Sequence, residues 1–202
     1  MASLVEESLT LRARYDEEPT HSDQVAKLAL QIFDGLRTWS SSTDRHRELL
    51  HSAALLHDIG WSQTPDGKGH HKLSAKLIQE HSWDKLSKDE VKIVAQIARY
   101  HRKAIPESDH AEFQELSAAS QKLVMILGGI LRLADALDRT HSDKVKSLDV
   151  IITKEAFLIQ VHPAGPWDAE RAMFETKKDM LELAAKRPIH CEPASSHKNP
   201  SS

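Results

Sequence analysis

Cysteine is almost missing from this 202-residue chain: Cys191 is the only one. An internal disulfide is excluded, and so is a zinc site made of several thiolates, so any metal centre has to be built from imidazole and carboxylate. A lone thiol also fits a reducing compartment, and a cytoplasmic location is expected. No apolar run approaches the eighteen or so residues of a membrane span. Glu6 and Glu7 stand where an export signal would carry basic residues, so no membrane partner is expected. Aromatic residues are few, and Trp39, Trp61, Trp83 and Trp167 are scattered rather than grouped as a base-stacking platform. With a formal net charge of -3 there is no basic excess either, and no nucleic-acid partner is expected. Neither a Walker-type glycine loop nor a Gly-x-Ser-x-Gly elbow occurs, and Asp66-Gly67-Lys68-Gly69 reads as a turn.

What is present is helical periodicity. A 40% hydrophobic content over this length supports one well-buried domain with a small appendage. Residues 4 to 16 form an expected leading helix, Glu17-Glu18-Pro19-Thr20 a break and restart, and Val25, Leu28, Ala29, Ile32, Phe33 and Leu36 the buried stripe of the next helix. His21 lies four residues before Val25 on that inward face. The polar linker Ser40 to Thr43 supplies a cap, and Leu50, Ala53, Ala54 and His57 follow on one stripe, with Gly60 placed to end the helix. His71 opens a short helix. Ser87 and Glu90 form a capping box for another, whose stripe of Val91, Val94, Ala95 and Ala98 continues to His101. A long helix from about Ser120 to Thr140 carries Asp135, and Gly128-Gly129 within it offers room for another helix or a ligand to approach. Val150–Ile152 and Phe157–Val161 then read as a β-hairpin joined by residues 153 to 156, residues 168 to 186 return to helix, and Ile189-His190-Cys191 fits a last short strand. The expected fold class is mainly α: a helical core over residues 1–146, a small α+β appendage over 147–192, and a disordered tail over 193–202.

One histidine on an apolar helix face is usually a hydrogen-bonded core residue, and a lone His-Asp dipeptide has little specificity. Ligand-type residues on the inward stripes of several separate helices are harder to attribute to coincidence. Leu55-Leu56-His57-Asp58-Ile59-Gly60 is the centre of this pattern, with His21 before it and His71, His101 and Asp135 after it. Imidazole with carboxylate suits a divalent transition metal (manganese, iron, cobalt, nickel or zinc) better than magnesium. Arg99, Arg102 and Lys103 surround His101, while Arg132 and Arg139 stand three before and four after Asp135. Arginine suits phosphate oxygens, so Arg102, Lys72, Arg132 and Arg139 are candidate phosphate contacts. Solvation, or pairing with acids such as Asp138, is an equal alternative for each.

The order His21, His57-Asp58, Asp135 resembles the His…His-Asp…Asp signature of the HD-domain superfamily of metal-dependent phosphohydrolases. More narrowly, His57-Asp58-Ile59-Gly60, His70-His71-Lys72-Leu73-Ser74-Ala75, Arg99-Tyr100-His101-Arg102-Lys103-Ala104 and Arg132-Leu133-Ala134-Asp135-Ala136-Leu137-Asp138-Arg139 resemble the C-terminal HD region of the exopolyphosphatase and guanosine pentaphosphate phosphatase family, over most of residues 15 to 165. The resemblance implies an HD-fold helical core in which His21, His57, Asp58 and Asp135 hold a first ion. His71 and His101 would hold a second, with Asp58 bridging and acting in catalysis. His70 competes with His71, which is preferred for its spacing to Ser74-Ala75. The implied function is hydrolysis of a nucleotide, a polyphosphate or another phosphorylated small molecule by metal-activated water. The alternative is a non-catalytic regulatory module that binds such a ligand, with a homodimer as an expected assembly. That family carries its phosphatase activity on a preceding sugar-kinase-like ATPase fold, whose glycine-rich phosphate loops are not among these residues.

Overall fold

The computed structural model describes residues 3–16 and 19–194. Glu17 and Glu18 of the expected break, and residues 195–202 of the expected tail, lie outside the described residues. The chain is mainly helical with a small three-stranded sheet, as its periodicity predicts. Helix α1 (Leu4–Arg12) starts at a capping box in which Ser3 and Glu6 each accept the other's backbone N–H. Helix α2 (Thr20–Ser40) buries the stripe from Val25 to Leu36. Helix α3 (Asp44–Leu56) starts at Thr43, whose hydroxyl accepts from the His46 amide. It stops four residues before the expected terminator Gly60. That glycine serves a different purpose, because a Cβ there would lie 2.5 Å from the His70 carbonyl oxygen and 2.7 Å from the Ser74 amide nitrogen. Only a residue without a side chain lets the end of α3 pass so close to helix α4 (His70–Glu80).

Helix α5 (Lys88–Arg99) begins at the predicted Ser87–Glu90 box and ends before His101, which sits in the following turn. A short helix α6 (Ala111–Gln114), not anticipated from sequence, precedes α7 (Ala118–Ala136). The Gly128-Gly129 pair leaves α7 unbroken and admits a neighbour. A Cβ on Gly129 would meet the Leu181 backbone at 2.9 Å, where helix α9 (Asp179–Ala185) lies against α7. The helix expected over 168–186 is divided at Lys178 into α8 (Asp168–Lys177) and α9.

Strands β1 (Val145–Ile152) and β2 (Phe157–Pro163) form the predicted antiparallel hairpin, and β3 (Ile189–Pro193) adds to β2 in parallel. Along β2, Phe157, Ile159 and Val161 are buried at alternate positions, the period of a strand with one covered face. They join Leu28, Ile32, Leu127 and Leu131 of the helices in one continuous hydrophobic core. Each fully buried Leu or Ile contributes about 1.5–3 kcal/mol. A core of this extent offsets the several kcal/mol that burying each charged group costs. No helix among the described residues is long and apolar enough to cross a membrane.

Candidate metal centre

Four helix ends bring their histidines to one place. His57 follows the last turn of α3 and is fully buried; its Nδ1 donates to the Ala54 carbonyl at 2.8 Å. His70, the first residue of α4, donates from Nδ1 to the Gly67 carbonyl at 2.6 Å. His101, just past α5, donates from Nδ1 to the Ala98 carbonyl at 2.6 Å. A carbonyl can only accept, so in each ring the proton sits on Nδ1 and Nε2 is left with its lone pair. The repeated bond to the carbonyl three residues earlier gives three imidazoles the same orientation. His21, in the first turn of α2, has its Nδ1 turned away from the centre in another way, 2.7 Å from Oδ2 of the buried Asp138.

The Nε2 atoms surround two carboxylates. His21 Nε2 lies 3.4 Å from Asp135 Oδ1, and His57 Nε2 lies 3.9 Å from that oxygen and 3.6 Å from Asp58 Oδ2. Asp58 Oδ1 has His70 Nε2 at 3.1 Å and His101 Nε2 at 3.3 Å. Among the described residues, two groups place their ligand atoms within 4.8 Å of one another: His21, His57 and Asp135, and His57, Asp58 and His101. His57 is therefore common to the two halves of the constellation.

Burial would push the Asp58 carboxyl up, but His57, His101 and His70 together hold it well below the usual carboxylate range. Asp135 is likewise pulled down to about 2, chiefly by His21, against the burial that would raise it. Burial lowers His57 to about 4, so it stays neutral at pH 7. Burial also works to lower His21, yet Asp135 and Asp138 overcome it and raise the imidazole to about 10. The metal-free cluster thus keeps both carboxylates ionised and holds a proton on the imidazole gripped by two acids. Despite that proton, His21 Nε2, His57 Nε2 and Asp58 Oδ1 are buried without a hydrogen bond. Such orphaned atoms cost about 1–3 kcal/mol each. Nitrogen and carboxylate lone pairs converging on one volume fit a divalent transition ion.

Of the residues singled out from sequence, His21, His57, Asp58, His101 and Asp135 come together. His71 does not join them: its ring is 5.8 Å from that of His70 and 6.4 Å from that of His101, and its Nδ1 is buried without a partner. Successive residues on a helix point about 100° apart, so only one of the pair can face Asp58, and that one is His70. Arg102 and Arg139 line a cavity of about 240 Å³ over the centre, together with Asp58, Asp135 and Lys177. Lys72 is exposed on α4 and does not line this cavity. Arg132 is no phosphate contact. It is 2% exposed and donates to the carbonyls of Tyr100 and Lys103 at 3.1 and 3.0 Å, and to Asp179 at 3.0 Å. Three residues before Asp135 on α7, it points into the protein and braces the turn that carries His101 and Arg102.

Sequence reasoning missed Lys177, whose Nζ lies 3.5 Å from the His101 carbonyl and whose pKa burial lowers to about 8. No local signal marks it, because it reaches the centre from α8. Asp138 had a signal, since it stands three residues after Asp135, in the turn that follows the same helix. His141 stacks on His21 with ring centroids 3.8 Å apart. It adopts φ 52°, a left-handed conformation that sequence alone does not announce.

A comparison with protein families places this constellation in context. Residues 7–182 match the model of domain III of the Ppx/GppA phosphatases, and the chain belongs to that family.

Proposed function

We propose that this family member is a metal-dependent phosphohydrolase on an HD-type helical core, acting on a nucleotide, polyphosphate or other phosphorylated small molecule. The observation that carries the reading is the set of orphaned buried donor atoms, His21 Nε2, His57 Nε2 and Asp58 Oδ1, beside a wall of cationic side chains. His21, His57, Asp58 and Asp135 would hold one divalent ion of the manganese, iron, cobalt, nickel or zinc type. Asp58, His70 and His101 offer a place for a second. When bound, such ions lower the pKa of a water and offset charge on phosphoryl oxygens.

The protein's own groups do the rest. Arg102, Arg139 and Lys177 bind the phosphate and turn it toward the carboxylates, a task suited to guanidinium forks and an ammonium point charge. The Ala54, Gly67 and Ala98 carbonyls keep three imidazoles in the tautomer that leaves Nε2 unprotonated. Arg132 holds the turn from Tyr100 to Lys103, so His101 and Arg102 present themselves together.

A second reading keeps every one of these residues. The family model matched is that of domain III, which favours a regulatory module that binds the same phosphates without cleaving them. Elemental analysis and phosphate release separate the two. One or two ions per chain are expected, with metal-dependent release from at least one member of a panel of nucleotides, polyphosphate and simple monoesters, lost in Asp58→Ala. Bound metal with tight ligand binding and no release would favour the sensor. A protein that takes up no transition ion would end both.

A further inference from the structure

We propose that a separate cavity, built on α5 rather than over the metal centre, is a binding site for a small uncharged planar ring with an N–H donor on its edge, such as an indole-type heterocycle. The cavity has a volume of about 380 Å³ and lies between α5, α6 and the segment that follows α4. It shares no lining residue with the cavity over the centre, so it stands or falls apart from the phosphate-binding reading. Lys88, Lys92 and Gln96 line it at four-residue intervals along one face of α5, the two lysines exposed and Gln96 only 1% exposed. The cavity therefore runs from a charged mouth to a buried amide.

That amide decides the chemistry. Gln96 Nε2 donates to Glu112 Oε2 at 2.9 Å, and because a carboxylate can only accept, the amide cannot be turned round. The other arm, Oε1, is buried without a hydrogen bond. Most buried polar atoms in folded chains have a partner, so an orphan on the lining of a cavity marks where a ligand group is wanted. A carbonyl oxygen is satisfied only by a donor. An ionised phosphate or carboxylate brings acceptors alone and cannot answer it, whereas an N–H can.

The remaining walls set the shape. Trp83 is half-buried and its Nε1 already donates to the Ile78 carbonyl at 2.8 Å, so its indole is fixed and offers ring surface rather than a donor. His81 packs against it at 90°, with ring centroids 4.8 Å apart. Burial lowers the His81 imidazole below its ordinary value, which keeps it mostly uncharged at pH 7. Leu86 and Val91 add aliphatic surface. Both acids of the lining are paired, Glu115 with Lys92 at 3.6 Å and Glu112 with Arg99 at 3.3 Å, while Lys88 and Gln79 are exposed to solvent. Apolar walls around one unanswered acceptor suit a flat ring packed on Trp83 with its N–H turned to Gln96.

Ligand-observed NMR titration of the full chain with indole and with 1-methylindole tests this, since the two share a ring and only the first has a donor. Indole is expected to bind about tenfold more tightly, the factor that an unanswered buried acceptor is worth. Gln96→Met keeps the length of the side chain and removes its oxygen, so that ratio should fall toward one. Val91→Trp fills the cavity from its half-buried wall and should abolish binding of both rings, with folding of each variant checked by circular dichroism. No binding of indole to the wild type, equal binding of the two rings, or a preference for indole that survives either substitution overturns the site.

Discussion

Replacing Asp138 by Asn tests whether the carboxylate behind His21 prepares it as a ligand. Asp138 uses both oxygens: Oδ2 meets His21 Nδ1 at 2.7 Å, and Oδ1 accepts the Asp143 amide at 3.0 Å. Asparagine offers one acceptor, so either the imidazole or the Asp143 N–H loses its partner. In the metal-free protein His21 holds its proton to about pH 10. An ion that takes Nε2 at pH 7 must displace that proton against three pH units, or about 4 kcal/mol. Metal affinity of the wild type should therefore rise about tenfold per pH unit from pH 7 toward 10. His57, already neutral above about pH 4, adds nothing to this slope.

Two effects of Asp138→Asn oppose each other. The proton on His21 becomes easier to remove, which helps metal binding near neutrality. The imidazole also loses its orienting anion and basicity, and groups in this supporting position are typically worth 10- to 100-fold in affinity. The charge of Asp138 attracts proton and metal ion alike, so its removal largely cancels between them and the loss of orientation dominates. Affinity is expected to fall 10- to 100-fold at pH 8, with a shallower dependence on pH. Competition against a calibrated chelator between pH 6.5 and 9 measures both quantities. Unchanged affinity with an unchanged slope would refute the reasoning. The sign for folding is the reverse of that for metal: a raised pKa stabilises the metal-free fold fully below about pH 6.5, and that contribution is lost as pH rises toward 10.

Other substitutions separate structural from ligand-binding roles. Arg132→Ala leaves the Tyr100 and Lys103 carbonyls without their donor and should cost about 2–4 kcal/mol in urea denaturation. Arg102→Ala should change stability by no more than about 0.5 kcal/mol while weakening phosphate binding measured by calorimetry, because Arg102 lines the cavity over the centre. Equal losses of stability in the two variants would contradict this division. Gly60→Ala drives a methyl group into the His70 carbonyl and the Ser74 amide, both backbone atoms that cannot turn aside. It is expected to destabilise by about 1–3 kcal/mol and to displace His70; full stability together with native metal content would exclude that packing constraint.

Much of the helical core was legible because its stripes repeat every three to four residues and its caps are explicit, as at Ser87 and Glu90. The hairpin was legible from β-branched runs around residues 153–156. Helix ends were less so, since Gly60 looks like a terminator in sequence and acts as a spacer in three dimensions. At the centre, residue types and approximate positions could be read from His57-Asp58 and its partners. The choice between His70 and His71 could not, because it turns on 100° of helical rotation that spacing does not resolve. Arg132 misled for the same reason: proximity to Asp135 along α7 says nothing about which way its guanidinium is drawn. Lys177 was invisible, its neighbours in space being more than forty positions away in the chain.

The contact that Gly129 permits, with Leu181 set against its backbone, has a wider consequence for how this protein can be dissected. It fixes α9 on α7, the helix that carries Asp135 in its last turn, and with it Lys177 and Met173 of α8 as the far wall of the cavity over the centre. A fragment cut after Arg139 would retain every candidate ligand yet have one side of its cavity open to solvent, and Arg132 would lose its partner Asp179. The candidate ligands and the enclosure of the cavity are thus encoded in separate stretches of the polypeptide, and a shortened version that captured an ion would not reproduce the chamber proposed to hold a phosphate.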